Sequence, residues 1–142
     1  MSELKHTSTG HWEKQIRNGR AGELAVGARL VELGFDLFWP VNDQPPIDVI
    51  SVHKSVIKRI QIKTKTQPRQ TQLSQEMRVD TVDCKKCDFL ICYLVGQFAF
   101  YVLPVKAIAG QKTALFYPNG KTNRTDRHDY ENYRDAWHLL RE

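Results

Sequence analysis

Asp48 opens an apolar run, Ile47-Asp48-Val49-Ile50, and thirteen residues after it comes Gln61 in Ile60-Gln61-Ile62-Lys63-Thr64. Side chains alternate faces along a strand, so Gln61 and Lys63 share one face. A hairpin centred between Lys54 and Ser55 places Asp48 directly opposite Gln61, and opposed residues of an antiparallel pair point to the same side. A three-residue loop at 53–55 would instead oppose Asp48 to Ile60 and turn Gln61 to the other face. With the even loop, a carboxylate, an amide and an ammonium meet on one small patch. That combination suits a hard divalent cation and a water molecule.

Hydrolysis of a phosphodiester at neutral pH is one reaction such a patch can serve. A metal must draw charge from the phosphate, a water must become nucleophilic, and the leaving oxygen must be stabilised. Magnesium takes oxygen ligands and few protein carboxylates, with water and phosphate completing its shell. Asp48 offers one hard ligand, the Gln61 amide oxygen a second and the Ile62 carbonyl a third. Lys63 can orient the attacking water or neutralise developing charge. Glu23, upstream, can bind a second metal or an outer-shell water.

These residues need elements to hold them. Leu24, Ala25, Ala28 and Val31 recur at helical spacing and Gly34 follows as a stop, which predicts a helix from about Asn18 to Leu33. Residues 1–16 read as flexible. Gly19, Gly22 and Gly27 are poor helix formers, suited to a helix start or to close approach of another backbone. Strands are expected at about 35–41, 47–52, 57–64, 88–95, 98–103 and 113–117, with a short helix from Pro104 to Ala109. Residues 66–76 read as a loop rich in glutamine. Tyr130, Tyr133, Trp137 and Leu140 form a stripe at spacings of three and four, which predicts a C-terminal helix over 126–141. That stripe serves core packing or another subunit.

The chain has 142 residues, enough for a single domain over 1–142 with its own core. Hydrophobic content of 41% against 26% charged fits a soluble globular protein. There is no apolar run of membrane-spanning length and no signal-peptide stretch at the N-terminus, so a cytoplasmic location away from membranes is expected. Three cysteines are too few for a secreted disulfide framework. Cys84 and Cys87 have the spacing of half a zinc site but also read as ordinary thiols. The net charge is +5, and residues 1–70 carry 11 basic against 7 acidic side chains. The excess therefore lies in the half that holds Asp48 and Lys63, which favours a polyanionic partner. Arg17, Arg20, Lys54, Lys58, Arg59, Lys65 and Arg69 are the candidate phosphate contacts. The glutamine loop is either a reader of adenine edges or an ordinary connection.

Glu23 in the first helix, Asp48 after a proline-containing turn, and Gln61-Ile62-Lys63 on the next strand resemble the PD-(D/E)xK nuclease superfamily. Gln61 stands where that family usually has Asp or Glu. The segments Gly19 to Glu23, Ile60 to Thr64, Tyr101 to Val105 and Tyr133 to Leu140 look most like small endonucleases of the group I intron homing type. Archaeal Holliday-junction resolvases share the early part of the pattern. The resemblance spans residues 17–140 and implies an α/β fold, a mixed central β-sheet flanked by helices with a restriction-endonuclease-like core. It implies a metal-dependent DNA endonuclease whose site is Glu23, Asp48, Gln61 and Lys63, using Mg2+ or Mn2+. A single domain this small covers few base pairs, so a homodimer or homotetramer matching two strands or two half-sites is expected. The neutral Gln61 removes one negative charge, so weaker metal binding than at a two-carboxylate site is expected. A structure-selective junction resolvase or repair nuclease, and a non-catalytic DNA-binding remnant of the fold, are the alternative readings.

Overall fold

Two residues, Lys54 and Ser55, are all that separate the paired ends of strands β2 (Val49–His53) and β3 (Val56–Thr66). Lys54 takes the positive φ of 56° that so tight a reversal demands. His53 pairs with Val56 and Val49 with Ile60, which is the register of the even loop. Around this hairpin, β1 (Asp36–Phe38), β2, β3, β5 (Phe89–Val95) and β6 (Ala99–Pro104) form a five-stranded sheet in the order β1-β2-β3-β5-β6. All its pairs are antiparallel except β3 with β5, which run parallel. The sheet is therefore mixed, as the sequence predicts. The computed structural model describes residues 3–42, 46–66, 77–80, 86–96, 99–118 and 130–142. Arg69, the glutamine-rich stretch and Cys84 lie outside them.

Alternation on the strands makes two cores. On one face Val49, Ile60, Ile62, Phe89, Ile91 and Val102 pack under Val26 and Leu30 of helix α1 (Glu3–Glu32) and under Trp137 and Leu140. On the other face Leu90, Cys92, Leu94, Tyr101 and Leu103 pack against Ala114, Phe116 and Tyr130. Ala114 and Phe116 belong to β7 (Thr113–Phe116), which pairs with β4 (Met77–Asp80) as a separate two-stranded sheet. β4 is a strand that the sequence reading lacks. Four residues are too short a run for alternation to rise above the polar sequence around them.

Three expectations change. The first helix begins at Glu3 rather than Asn18 and takes in most of the stretch read as flexible. The short helix after β6 is a 3-10 turn, Val105–Ile108. Over the described residues 130–142, the C-terminal segment is not one helix but two 3-10 turns, Glu131–Tyr133 and Trp137–Arg141, and the predicted start at 126–129 lies outside the described residues. Tyr130 lies in one core and Trp137 in the other. A straight helix cannot bury its two ends on opposite faces of one sheet. The chain instead crosses the edge of β6, where Arg134 bridges to Tyr101 and the Asp135 amide donates to the Phe100 carbonyl at 2.8 Å. Asp135 takes a φ of 52° to make that crossing.

Helix α1 comes very close to β3 at Gly22. A Cβ on Gly22 would lie 1.6 Å from Thr64 Oγ1 and 2.8 Å from Thr64 Cβ. Only glycine fits there. Gly22→Ala improves helix propensity by about 1 kcal/mol, but overpacking costs about 1–3 kcal/mol. A net loss of stability in urea unfolding is expected, and adding Thr64→Ala should recover part of it. Equal or greater stability of Gly22→Ala alone would contradict the close approach.

Candidate active site at the open end of β3

β3 outruns its antiparallel partner. Among the described residues, the ladder with β2 ends at Val49 and Ile60, whereas β3 continues to Thr66 paired only with β5. From Gln61 onward the β2-side edge of β3 is therefore open among the described residues. Asp48 sits where the two strands part. Its amide donates to the Ile60 carbonyl at 2.9 Å, and its Oδ2 accepts the Ile62 amide at 2.6 Å. In a strand the N–H and C=O of one residue point to the same side. The Ile62 carbonyl thus faces the same open edge as the Asp48 carboxylate. One step beyond the Val49–Ile60 pair, Asp48 stands opposite Gln61, and alternation puts Gln61 and Lys63 on one face of β3.

The surroundings set the charge. Burial pushes the Asp48 carboxyl above the usual carboxylate range, opposed by the Ile62 amide and by the positive charge of Lys63. Gln61 is buried and Lys63 half-buried. Below them, Pro46 is held by the thiol of Cys87, which donates to its carbonyl at 3.6 Å, so the turn leading into Asp48 rests on the start of β5. Both Cys87 and Cys92 are buried. Among the described residues, no group of three or more His, Cys, Asp or Glu side chains gathers into a metal-holding cluster. Any cation here would lean on neutral oxygens as well as on carboxylate.

Glu23 comes from α1, which lies over the face bearing Ile60, Ile62 and Thr64. The neighbouring Gly22 places it at the level of Thr64, beyond the end of β2. One turn further, Gly27 lies against Trp39, just past β1. Residues four apart share a helix flank, so Glu23 is on the β1–β2 flank, the side on which the edge of β3 is open. Its carboxylate pairs with Arg20 at 3.1 Å, an i, i+3 contact on the helix.

The predicted phosphate contacts divide. Arg17, Arg20, Lys54 and Lys65 are exposed. Lys58 lies 5.6 Å above the Phe89 ring. Arg59 is also exposed, but it is paired within the chain. Its Nε and Nη2 donate to both oxygens of Asp88, and its amide donates to Asp88 Oδ2 at 2.8 Å. Arg59 in turn holds the Asp88 carboxyl below the usual range. Sequence reasoning missed Asp88. Its signal was an acidic residue at the start of a buried strand, the same position that Asp48 holds.

The family profile of PD-(D/E)XK endonucleases matches residues 13–140. The chain belongs to that family. Among solved structures it is similar to the bacterial homing endonuclease I-Ssp6803I, with a TM-score of 0.68, 22% identity, and coverage of 87% of this chain and 88% of that one. It is also similar to Hjc, a Holliday junction resolvase from the archaeal hyperthermophile Archaeoglobus fulgidus, with a TM-score of 0.50, 13% identity, and coverage of 70% and 83%. No curated protein matches the chain. No described helix is long and apolar enough to cross a membrane.

The raised Asp48 pKa carries a sign. A carboxyl raised in the fold contributes stability that is fully present below its unfolded pKa, near 3.8, and is lost as pH rises through the folded value. At neutral pH the buried charge therefore weighs against the fold. Asp48→Asn keeps an acceptor for the Ile62 amide and removes that charge. In metal-free buffer it is expected to raise the melting temperature at pH 7 and to leave it unchanged near pH 3. A variant that melts lower than wild type at pH 7 would contradict this account.

Proposed function

We propose that this chain is a divalent-metal-dependent endonuclease acting on DNA, with its active site at the open end of β3. The observation that carries the reading is the Asp48 carboxylate, anchored by the Ile62 amide where β2 stops and β3 runs on. The donor set fits a hard cation: the Asp48 carboxylate, the Gln61 amide oxygen and the Ile62 carbonyl are all oxygen ligands. A cation would also relieve the burial that raises Asp48. Mg2+ or Mn2+ is the proposed ion, with Glu23 as a second or outer-shell ligand. When bound, the ion supplies Lewis-acid polarisation of the scissile phosphate.

The chain's own residues do the rest. Asp48 fixes the anionic pole of the site, because one of its oxygens is tied to the backbone of β3. The Lys63 ammonium, on the face shared with Gln61, holds the attacking water and offsets charge that develops on the phosphate oxygens. Arg17, Arg20, Lys54, Lys58 and Lys65 bind the phosphodiester backbone, so affinity falls as salt rises. The neutral Gln61 lowers metal affinity relative to a second carboxylate. A homing role is the preferred form of the reading. The likeness to the bacterial homing endonuclease covers more of this chain than the likeness to the junction resolvase. The cytoplasm is the proposed compartment.

Plasmid cleavage in magnesium tests the assignment. Lys63→Ala and Asp48→Asn should each lose about 100-fold or more in rate, the scale of removing a group that stabilises the transition state. Cleavage by both at the wild-type rate would exclude this site. Gln61→Glu should reach half-maximal rate at lower magnesium. An unchanged magnesium dependence would remove Gln61 from the ligand set. Faster cleavage of a four-way junction than of linear duplex would favour the resolvase reading over homing.

A further inference from the structure

The hydrogen bonds of β3 fix which way each of its main-chain groups points. The Arg59 groups face β5: its amide donates to Asp88 Oδ2 and its carbonyl accepts from the Asp88 amide. The Ile60 carbonyl and the Ile62 amide face the other way, towards Asp48. Direction alternates along a strand, so the groups of Thr64 and Thr66 also point to the β2 side. Among the described residues, no strand pairs with β3 on that side beyond Ile60. The Ile62 amide is taken by Asp48. The Thr64 amide is thus the next outward donor past Asp48 along this margin of the sheet.

Its neighbours suit a phosphate. The Ile62 carbonyl, the outward group just before it, has the sign for a cation, whereas the Thr64 amide has the sign for an anion. Lys63 lies on the sheet face that carries Cys92, and Glu23 comes from the helix over the opposite face at the level of Thr64. A phosphodiester has two non-bridging oxygens, so it can face a cation with one and a donor with the other. Thr66 is a further step from Asp48. Thr64 is also held from outside the strand, because α1 seats on it at Gly22, where a Cβ would lie 1.6 Å from Thr64 Oγ1. A donor fixed in this way needs no reorganisation when charge develops beside it.

We propose that the main-chain amide of Thr64 donates to a non-bridging oxygen of the scissile phosphate. The assignment rests on the active site proposed above and adds a group to it that no side chain supplies. In hydrolysis the water oxygen bonds to phosphorus and gives up a proton, the bond to the leaving ester oxygen breaks, and that oxygen takes a proton. The non-bridging oxygens keep their bonds and share the charge of the transition state, so a donor at one of them acts on rate. Replacing Thr64 by its α-hydroxy acid analogue turns the amide into an ester. The donor is lost and the side chain that meets Gly22 is kept. Plasmid cleavage in magnesium should fall about 100-fold in kcat, with little change in KM. Cleavage at the wild-type rate beside an inactive Lys63→Ala would overturn this assignment and leave the active site in place. Wild-type rates for both would remove the site as well. A second readout needs neither cleavage nor the ester. A short duplex titrated into the native protein in metal-free buffer should move the Thr64 amide proton downfield in NMR spectra, and further than that of Lys63, whose N–H faces β5. A Thr64 signal that stays in place at saturating duplex would overturn the proposal.

Discussion

Asp48 grips β3 twice, through its own amide to Ile60 and through its carboxylate to the amide of Ile62. These two bonds end the antiparallel ladder and turn a strand into a fork. Without an early end to β2, the Ile62 carbonyl would be spent on a neighbouring strand. With it, a carbonyl, a carboxylate, an amide and an ammonium share the margin of the sheet. The cost is a half-buried charge that burial disfavours. Native proteins commonly keep such strain where chemistry is done.

The rest of the fold holds that fork in place. Arg59, within β3, clamps Asp88, just before β5, which sets the parallel register of Ile60 with Phe89. Cys87, beside Asp88, supports the turn before Asp48. The Gly22–Thr64 contact brings α1 within reach of the open edge and fixes the level of Glu23. Asp48 is thus placed by backbone hydrogen bonds, whereas Glu23 is placed by packing. Errors in helix position would move Glu23 and leave Asp48 in place.

The hairpin was legible because alternation and the distance from Asp48 to Gln61 constrain register strongly when one face is buried. Lys54 gave no warning of its positive φ, since asparagine and glycine are the usual markers of such a turn. The main strands of the mixed sheet were legible from their apolar runs. Three features were not. The start of α1 lies in a polar stretch containing Gly10, where composition argues against helix. β4 is too short. The stripe from Tyr130 to Leu140 has helical spacing but serves two cores on opposite sides of a sheet, and no one-dimensional pattern records which face an aromatic will find. The open edge of β3 was also hidden, because it depends on where a partner strand stops.

The parallel pairing of β3 with β5 has a bearing on how the chain folds. Strands that run parallel must wait for a crossover, here from Thr66 to Phe89, before they meet. The β2–β3 hairpin waits for nothing beyond a two-residue turn, and hairpins close in about 1–10 μs. Asp48 and Lys63 are both carried by that local unit. The pieces of the proposed centre that must sit closest together are therefore joined by the least chain entropy. The distant elements arrive later, to a margin whose register has already been set.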